Sequence, residues 1–246
     1  MTDHDKNPAA EETGLERFHS DPEDDIRPIE TGPAKPAAPD IPRHLLPEDD
    51  HYFVEAGDCV DLYKKDPALR QVLIGVGWDQ KALEENKIDV DVSCFLLNTK
   101  DMTRVDSDFI FYNNETGCEG AVRHAGDNRS GAGDGDDETL FMDLPNIPFD
   151  VVKIVFVLSI YDFEHVGHHF GMVRDVYFRL VNREDDRELL RYPLDETMFE
   201  GQTGVILGIM ERNGPKWGFL AQSEAIEGGL STLADRYGII VAEKTG

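Results

Sequence analysis

Between Gly126 and Glu138 the chain sets Asp127, Asn128, Asp134, Asp136, Asp137 and Glu138 among four glycines, with Arg129 opposing their charge. Carboxylates crowded this closely repel one another unless a cation sits among them. Glycine admits positive φ, so the backbone can curl and turn side chains and carbonyls inward together. Oxygen donors on such a loop suit Ca²⁺, which takes about six to eight of them, better than Zn²⁺ or Cu²⁺. The same composition also suits a solvated turn, because Gly and Asp dominate turns. The spacing is not that of an EF-hand. Asp127 and Glu138 stand at its first and twelfth positions, but Arg129 and Gly131 fall where ligands are needed and Ala132 where glycine is required. Further oxygens must come from elsewhere in the chain.

A second acidic group supplies them. Strict alternation from Lys87 to Leu97 places Asp89, Asp91 and Ser93 on one strand face and Val90, Val92 and Cys94 on the other. Two acids side by side on a strand call for a counter-charge; the competing reading is a solvent-exposed edge. Asn113 and Asn114, which end the run Phe109 to Asn114, read as turn formers.

Other chemistry is less well supported. His165, His168 and His169 have a spacing that a transition metal could use, but no paired thiolates or second histidine group complement them, so they read as a polar loop. Cys59, Cys94 and Cys118 form no CxxC pair, Cys94 lies on an apolar strand face, and a reducing compartment is the default. Phosphate-binding GxxxxGK[ST] is absent from the sequence, and nothing marks one acid as a general acid. The chain is read as non-enzymatic.

The elements that must position these residues are strands. At 246 residues and 40% apolar composition the chain can bury one substantial core. Residues 1–50 carry a net charge of −9 and eight prolines, so they read as a disordered acidic tail, Pro/Ala-rich from Arg27 to Pro42. Residues 51–246 read as one domain. Strands are expected at 71–79, near 90–97, 108–112 and 139–143, at 152–161 and 173–181, then at 188–192, 205–211 and 216–221. The strand at 152–161 is the richest in β-branched and aromatic residues. Short strands with turn signals at this spacing predict a mainly all-β fold, a two-sheet antiparallel β-sandwich. A short C-terminal helix is expected where Leu230, Leu233, Ala234 and Tyr237 share a face before Gly238.

A formal charge of −26 argues against nucleic acid, which needs clustered Lys and Arg, and against anionic lipid. It also favours a monomer through self-repulsion. The amino terminus lacks a basic and an apolar region of secretory type. The apolar run Val151 to Tyr161 contains Lys153 and is too short to span a bilayer. The expected location is the cytoplasm, so the sequons at Asn114 and Asn128 are chance matches.

Gly75-Val76-Gly77-Trp78-Asp79, Asp89-Val90-Asp91, Phe109 to Asn114, Gly126 to Glu138 and Ile154 to Asp162, followed by Phe170-Gly171, Leu180-Val181-Asn182, Glu211-Arg212 and Trp217-Gly218-Phe219, occur in the order found in the TerD family of tellurium-resistance and stress-response proteins. The chain resembles that family over roughly residues 52–240. The resemblance implies a β-sandwich that binds Ca²⁺ through acidic loops and serves bacterial cytoplasmic stress systems, with other stress-response or tellurium-resistance proteins as partners. It further implies that Asp127, Asn128, Asp134, Asp136, Asp137 and Glu138 form the calcium loop, and that Asp89 and Asp91 complete the cation cluster. The front extension and the stretch from His165 to His169 lie outside what it covers. A rival reading is a metal-dependent enzyme acting on a phosphoryl group or an oxyanion. The strong negative charge repels anions, and only Arg123 and Arg129 lie close to the loop in sequence. Calcium held for structure alone is the third reading.

Overall fold

β-Branched and aromatic residues at alternate positions dictate extended chain, and extended chain dominates the computed structural model, which describes residues 52–81, 88–127, 135–161 and 167–239. The expected tail, Asn128, Asp134 and His165 lie outside the described residues, and Asp127 is described through its backbone. In chain order the elements are β1 (Cys59–Asp61), α1 (Leu62–Lys65), β2 (Gln71–Gln80), β3 (Val90–Leu97), β4 (Phe109–Ile110), β5 (Thr116–Gly117), β6 (Val122–Asp127), β7 (Glu138–Asp143), β8 (Lys153–Ile160), β9 (Val173–Asn182), β10 (Arg187–Pro193), β11 (Gly204–Asn213), β12 (Lys216–Ile226) and α2 (Gly229–Arg236).

The strands form two six-stranded sheets. The first runs β1-β12-β11-β8-β3-β4 and the second β10-β9-β2-β7-β6-β5. Every neighbouring pair is antiparallel. Beside β10, residues 52–54 add a short parallel stretch: Val54 N donates to Arg191 O at 3.0 Å and Arg191 N to Tyr52 O at 2.7 Å.

Period-two patterning decides which faces meet. Val72, Ile74 and Val76 of β2, Val176, Phe178 and Leu180 of β9, Val92, Cys94 and Leu96 of β3, and Ile154, Phe156 and Leu158 of β8 share one buried core. Phe156 and Phe178 touch across it with ring centroids 5.4 Å apart. A second buried cluster lies on the other face of the first sheet. There α2 lays Leu233, Ala234 and Tyr237 over Phe95, Leu97, Val155, Val157 and Ile206. Each large side chain so buried contributes about 1.5–3 kcal/mol.

The helix and the long strands stand close to their expected places. The expected strand at 108–112 shortens to Phe109–Ile110, because Asn114 Nδ2 donates back to Phe109 O and closes a turn. Strands β1, β5 and β6 are additions. Helix α1 is a single turn, capped by Asp61, whose carboxylate accepts from Tyr63 N and Lys64 N at 3.0 and 3.2 Å. Strand β3 is buried along its whole length, with α2 over Phe95 and Leu97, which excludes a solvent-exposed edge as the setting of Asp91.

Candidate metal centre

Antiparallel pairing gathers the acidic segments at one end of the sandwich. Val90 pairs with Ile160, so β3 starts where β8 ends; Asp127 pairs with Glu138, so β6 ends where β7 begins. The residues Glu138 and Val92 join the two sheets at that end. Glu138 is almost wholly buried on the inner side of β7, and its Oε2 accepts from Val92 N at 2.9 Å. His124 Nε2 lies 3.1 Å from the same oxygen and 3.2 Å from Val92 O. The reason lies in register. Tyr161 N donates to Asp89 O at 2.9 Å, so odd-numbered residues of β3 bond to β8. Val92 therefore turns its amide and carbonyl to the other edge, where β4 reaches only Cys94 and Phe95. Glu138 and His124 complete that edge. Burial opposes charge on His124, but the Glu138 hydrogen bond and charge outweigh it and hold the imidazole pKa above its ordinary value.

Asp137 closes the edge of β2. Its amide donates to Val76 O at 2.8 Å, and its Oδ2 accepts from Trp78 N at 2.9 Å. Burial, with Asp136 and Asp79 beside it, pushes the carboxyl up to about 6 despite the Trp78 amide. Burial is the leading cause, and the two neighbouring acids add to it.

Asp136 goes the opposite way, onto the outer face of the second sheet. Arg179 Nε and Nη2 each lie 2.7 Å from one of its oxygens, and Tyr177 donates its hydroxyl at 3.0 Å. Asp91 faces outward from the first sheet yet is only 4% exposed, and its register partner on β8 is Ser159, itself buried. Ser93 Oγ, on the same face, is fully buried without a hydrogen-bond partner. Asp89 precedes β3 and is half-buried opposite Tyr161.

The eight predicted residues are thus brought to one end but not into one cage. Among the described residues no three His, Cys, Asp or Glu side chains form a group that could hold a metal ion. Six of the eight are described; Asn128 and Asp134 are not. The donor chemistry nevertheless fits a hard cation: every donor is oxygen, Asp137 is crowded by other acids, and Ser93 presents an unsatisfied buried hydroxyl. Among the histidines, His169 is structural. Its Nδ1 accepts from Gly171 N and Gly201 N at 3.1 and 3.2 Å.

Sequence reasoning missed His124, Tyr177 and Arg179. A signal existed for the last two. Gly75 and Gly77 fall on the outward positions of β2, and glycine inside a strand marks close approach by another group. A Cβ on Gly75 would lie 2.2 Å from Asp136 Oδ2, and one on Gly77 2.5 Å from the Tyr177 ring.

The TerD domain profile matches residues 53–237. Tellurium resistance protein TerD of Serratia marcescens is 42% identical over 183 residues, which is 74% of this chain and 95% of that protein. General stress protein 16U of Bacillus subtilis is 40% identical over 186 residues, 75% of this chain and 96% of that one. In fold, the crystal structure of a homologue of telluride resistance protein TerD from Streptomyces coelicolor covers 68% of this chain and 96% of its own, with a TM-score of 0.55 at 16% identity.

Proposed function

Because the chain belongs to the TerD family of tellurium-resistance and stress-response proteins, we propose that it is a calcium-binding, non-catalytic interaction module of such a stress system, working in the cytoplasm. Among the described residues no helix is long and apolar enough to cross a membrane. The observation that carries the calcium reading is geometric: the acidic segments at Asp89–Asp91 and at Asp127 and Asp137 are gathered at one end of the sandwich, with Asp137 buried where the acidic loop enters β7. Asp127, Asn128, Asp134 and Asp137 would supply the loop oxygens, and Asp89 and Asp91 those of β3. Glu138 sets the distance between the sheets at this end through Val92. Ca²⁺, when bound, supplies the positive charge that offsets these carboxylates. The protein's part is to hold the loop ends on β6 and β7 and to offer the ordered loop to a partner, here another protein of the stress system.

Calorimetric titration of the chelator-stripped full chain with Ca²⁺ and then Mg²⁺, with the melting temperature followed alongside, tests this. Micromolar Ca²⁺ binding, a weak Mg²⁺ response and a clear thermal shift are expected. Stabilisation should reach about 2.7 kcal/mol at a hundredfold excess over Kd. No heat and no shift with Ca²⁺ would overturn the reading.

A further inference from the structure

Asp136 is the acid of the loop that the fold has most visibly made room for. Its two oxygens sit in the fork of Arg179, at 2.7 Å each, and its side chain is 7% exposed. The fork belongs to a closed ring of contacts. Arg179 Nη1 donates to Glu188 Oε2 at 3.0 Å, and Arg191 donates to both Glu188 oxygens at 2.6 and 3.0 Å. The Arg191 guanidinium lies 4.5 Å from the centroid of the Tyr177 ring, and the Tyr177 hydroxyl returns to Asp136. Two carboxylates and two guanidiniums balance. Arg179 and Tyr177 are the register partners of Gly75 and Gly77, whose missing side chains admit the carboxylate and the ring. The seat is therefore built entirely on paired strands, two residues upstream of β7.

A carboxylate gripped at both oxygens by one guanidinium is already neutralised, and a planar bidentate fork also fixes direction. We propose that Asp136 is the anchor of the acidic loop and Arg179 its positioning residue, so that calcium affinity depends on a pair that does not touch the ion. This rests on the calcium reading above. It assigns Asp136 to holding the C-terminal end of the loop on the sheet, where the neighbouring acids can converge, and not to coordination.

The sign of one measurement separates this from the opposite assignment, in which Asp136 is a ligand and Arg179 its resident competitor. Removing a positive charge beside a cation site by itself tightens cation binding. If Arg179 competes, Arg179→Met must therefore raise calcium affinity while Asp136→Asn lowers it. If the pair anchors, both substitutions weaken binding, by about tenfold, and the double variant is no weaker than the poorer single one. Arg179→Lys, which keeps the charge but loses the fork, should also weaken binding. Calorimetry on the full chain gives the affinities, and melting in chelator identifies any variant that has failed to fold.

A readout without calcium accompanies it. Arg129 lies inside the loop, and trypsin should cut there several-fold faster in chelated Arg179→Met and Asp136→Asn than in the wild type if the pair is what holds the loop's end to the sheet. Tyr177→Phe, which removes one hydrogen bond, should show a smaller change of the same sign. Unchanged or tighter calcium binding by Arg179→Met, with the wild type still binding, would overturn the inference and leave the calcium reading standing. Failure of the wild type to bind calcium would overturn both, and the two failures are told apart by the wild-type titration alone.

Discussion

Glu138 on one sheet and Val92 on the other are joined by a 2.9 Å hydrogen bond from backbone amide to carboxylate, so a side chain stands in for a missing neighbouring strand. Its removal should be felt without any metal present. Glu138→Leu leaves the buried Val92 amide without its acceptor and removes one of the two oxygens within reach of His124 Nε2, and should cost about 2–4 kcal/mol. Glu138→Gln keeps an acceptor and should cost about half of that. Urea denaturation in chelator measures both; equal losses would show that the bond is dispensable.

A pH dependence follows from Glu188. Burial opposes its ionisation, but hydrogen bonds from Arg191, Tyr52 and Arg179 outweigh burial and hold the carboxyl below its ordinary 4.5. A folded value below the unfolded one means that the stabilisation is complete above 4.5 and fades as pH falls through the folded value. Unfolding free energy should therefore drop more steeply below pH 4.5 in the wild type than in Glu188→Gln. At neutral pH the variant should be the less stable of the two. Parallel curves through that window would refute the coupling.

The seat under Asp136 can be filled from below. Gly75→Ala puts a methyl group 2.2 Å from the Asp136 carboxylate, and because both the strand and the Arg179 fork resist movement it should destabilise the fold by about 1–3 kcal/mol. Thermal melting in chelator checks this, and a neutral result would mean that the carboxylate shifts freely.

The three cysteines should react in order of burial. Cys59 is exposed, Cys118 half-buried and Cys94 buried, with burial pushing the Cys94 thiol far up. A thiol reagent should label Cys59 promptly and Cys94 only at the rate of global unfolding. Mass spectrometry of timed digests reads the order, and early Cys94 labelling would reveal local opening of β3.

Composition and periodicity made the long strands legible. Lys153–Ile160 is recognised by its run of β-branched and aromatic residues and Val173–Asn182 by its apolar alternation. Val122-Arg123-His124-Ala125-Gly126-Asp127 does not, and its strand exists because β7 pairs with it. That omission hid His124, whose inward direction depends on being in a strand. The acidic loop was visible as chemistry, but the fate of Asp136 was not. Its partner Arg179 is 43 residues away, and only strand pairing across β2 brings the two together. The same limit applies to Asp91, which is buried and paired with Ser159, a residue 68 positions away that only strand pairing brings beside it.

The parallel stretch at residues 52–54 has a consequence for solubility. An edge strand with open backbone groups is a template onto which a second chain can add. Along β10 those groups at Arg191 are already engaged by Tyr52 and Val54. The segment thus works as a selvedge, finishing the border of the sheet so that it cannot fray into a neighbour's. A chain trimmed to begin at Glu55 would lose Val54 from its core and both bonds to Arg191, and would meet its own copies along a freshly cut border.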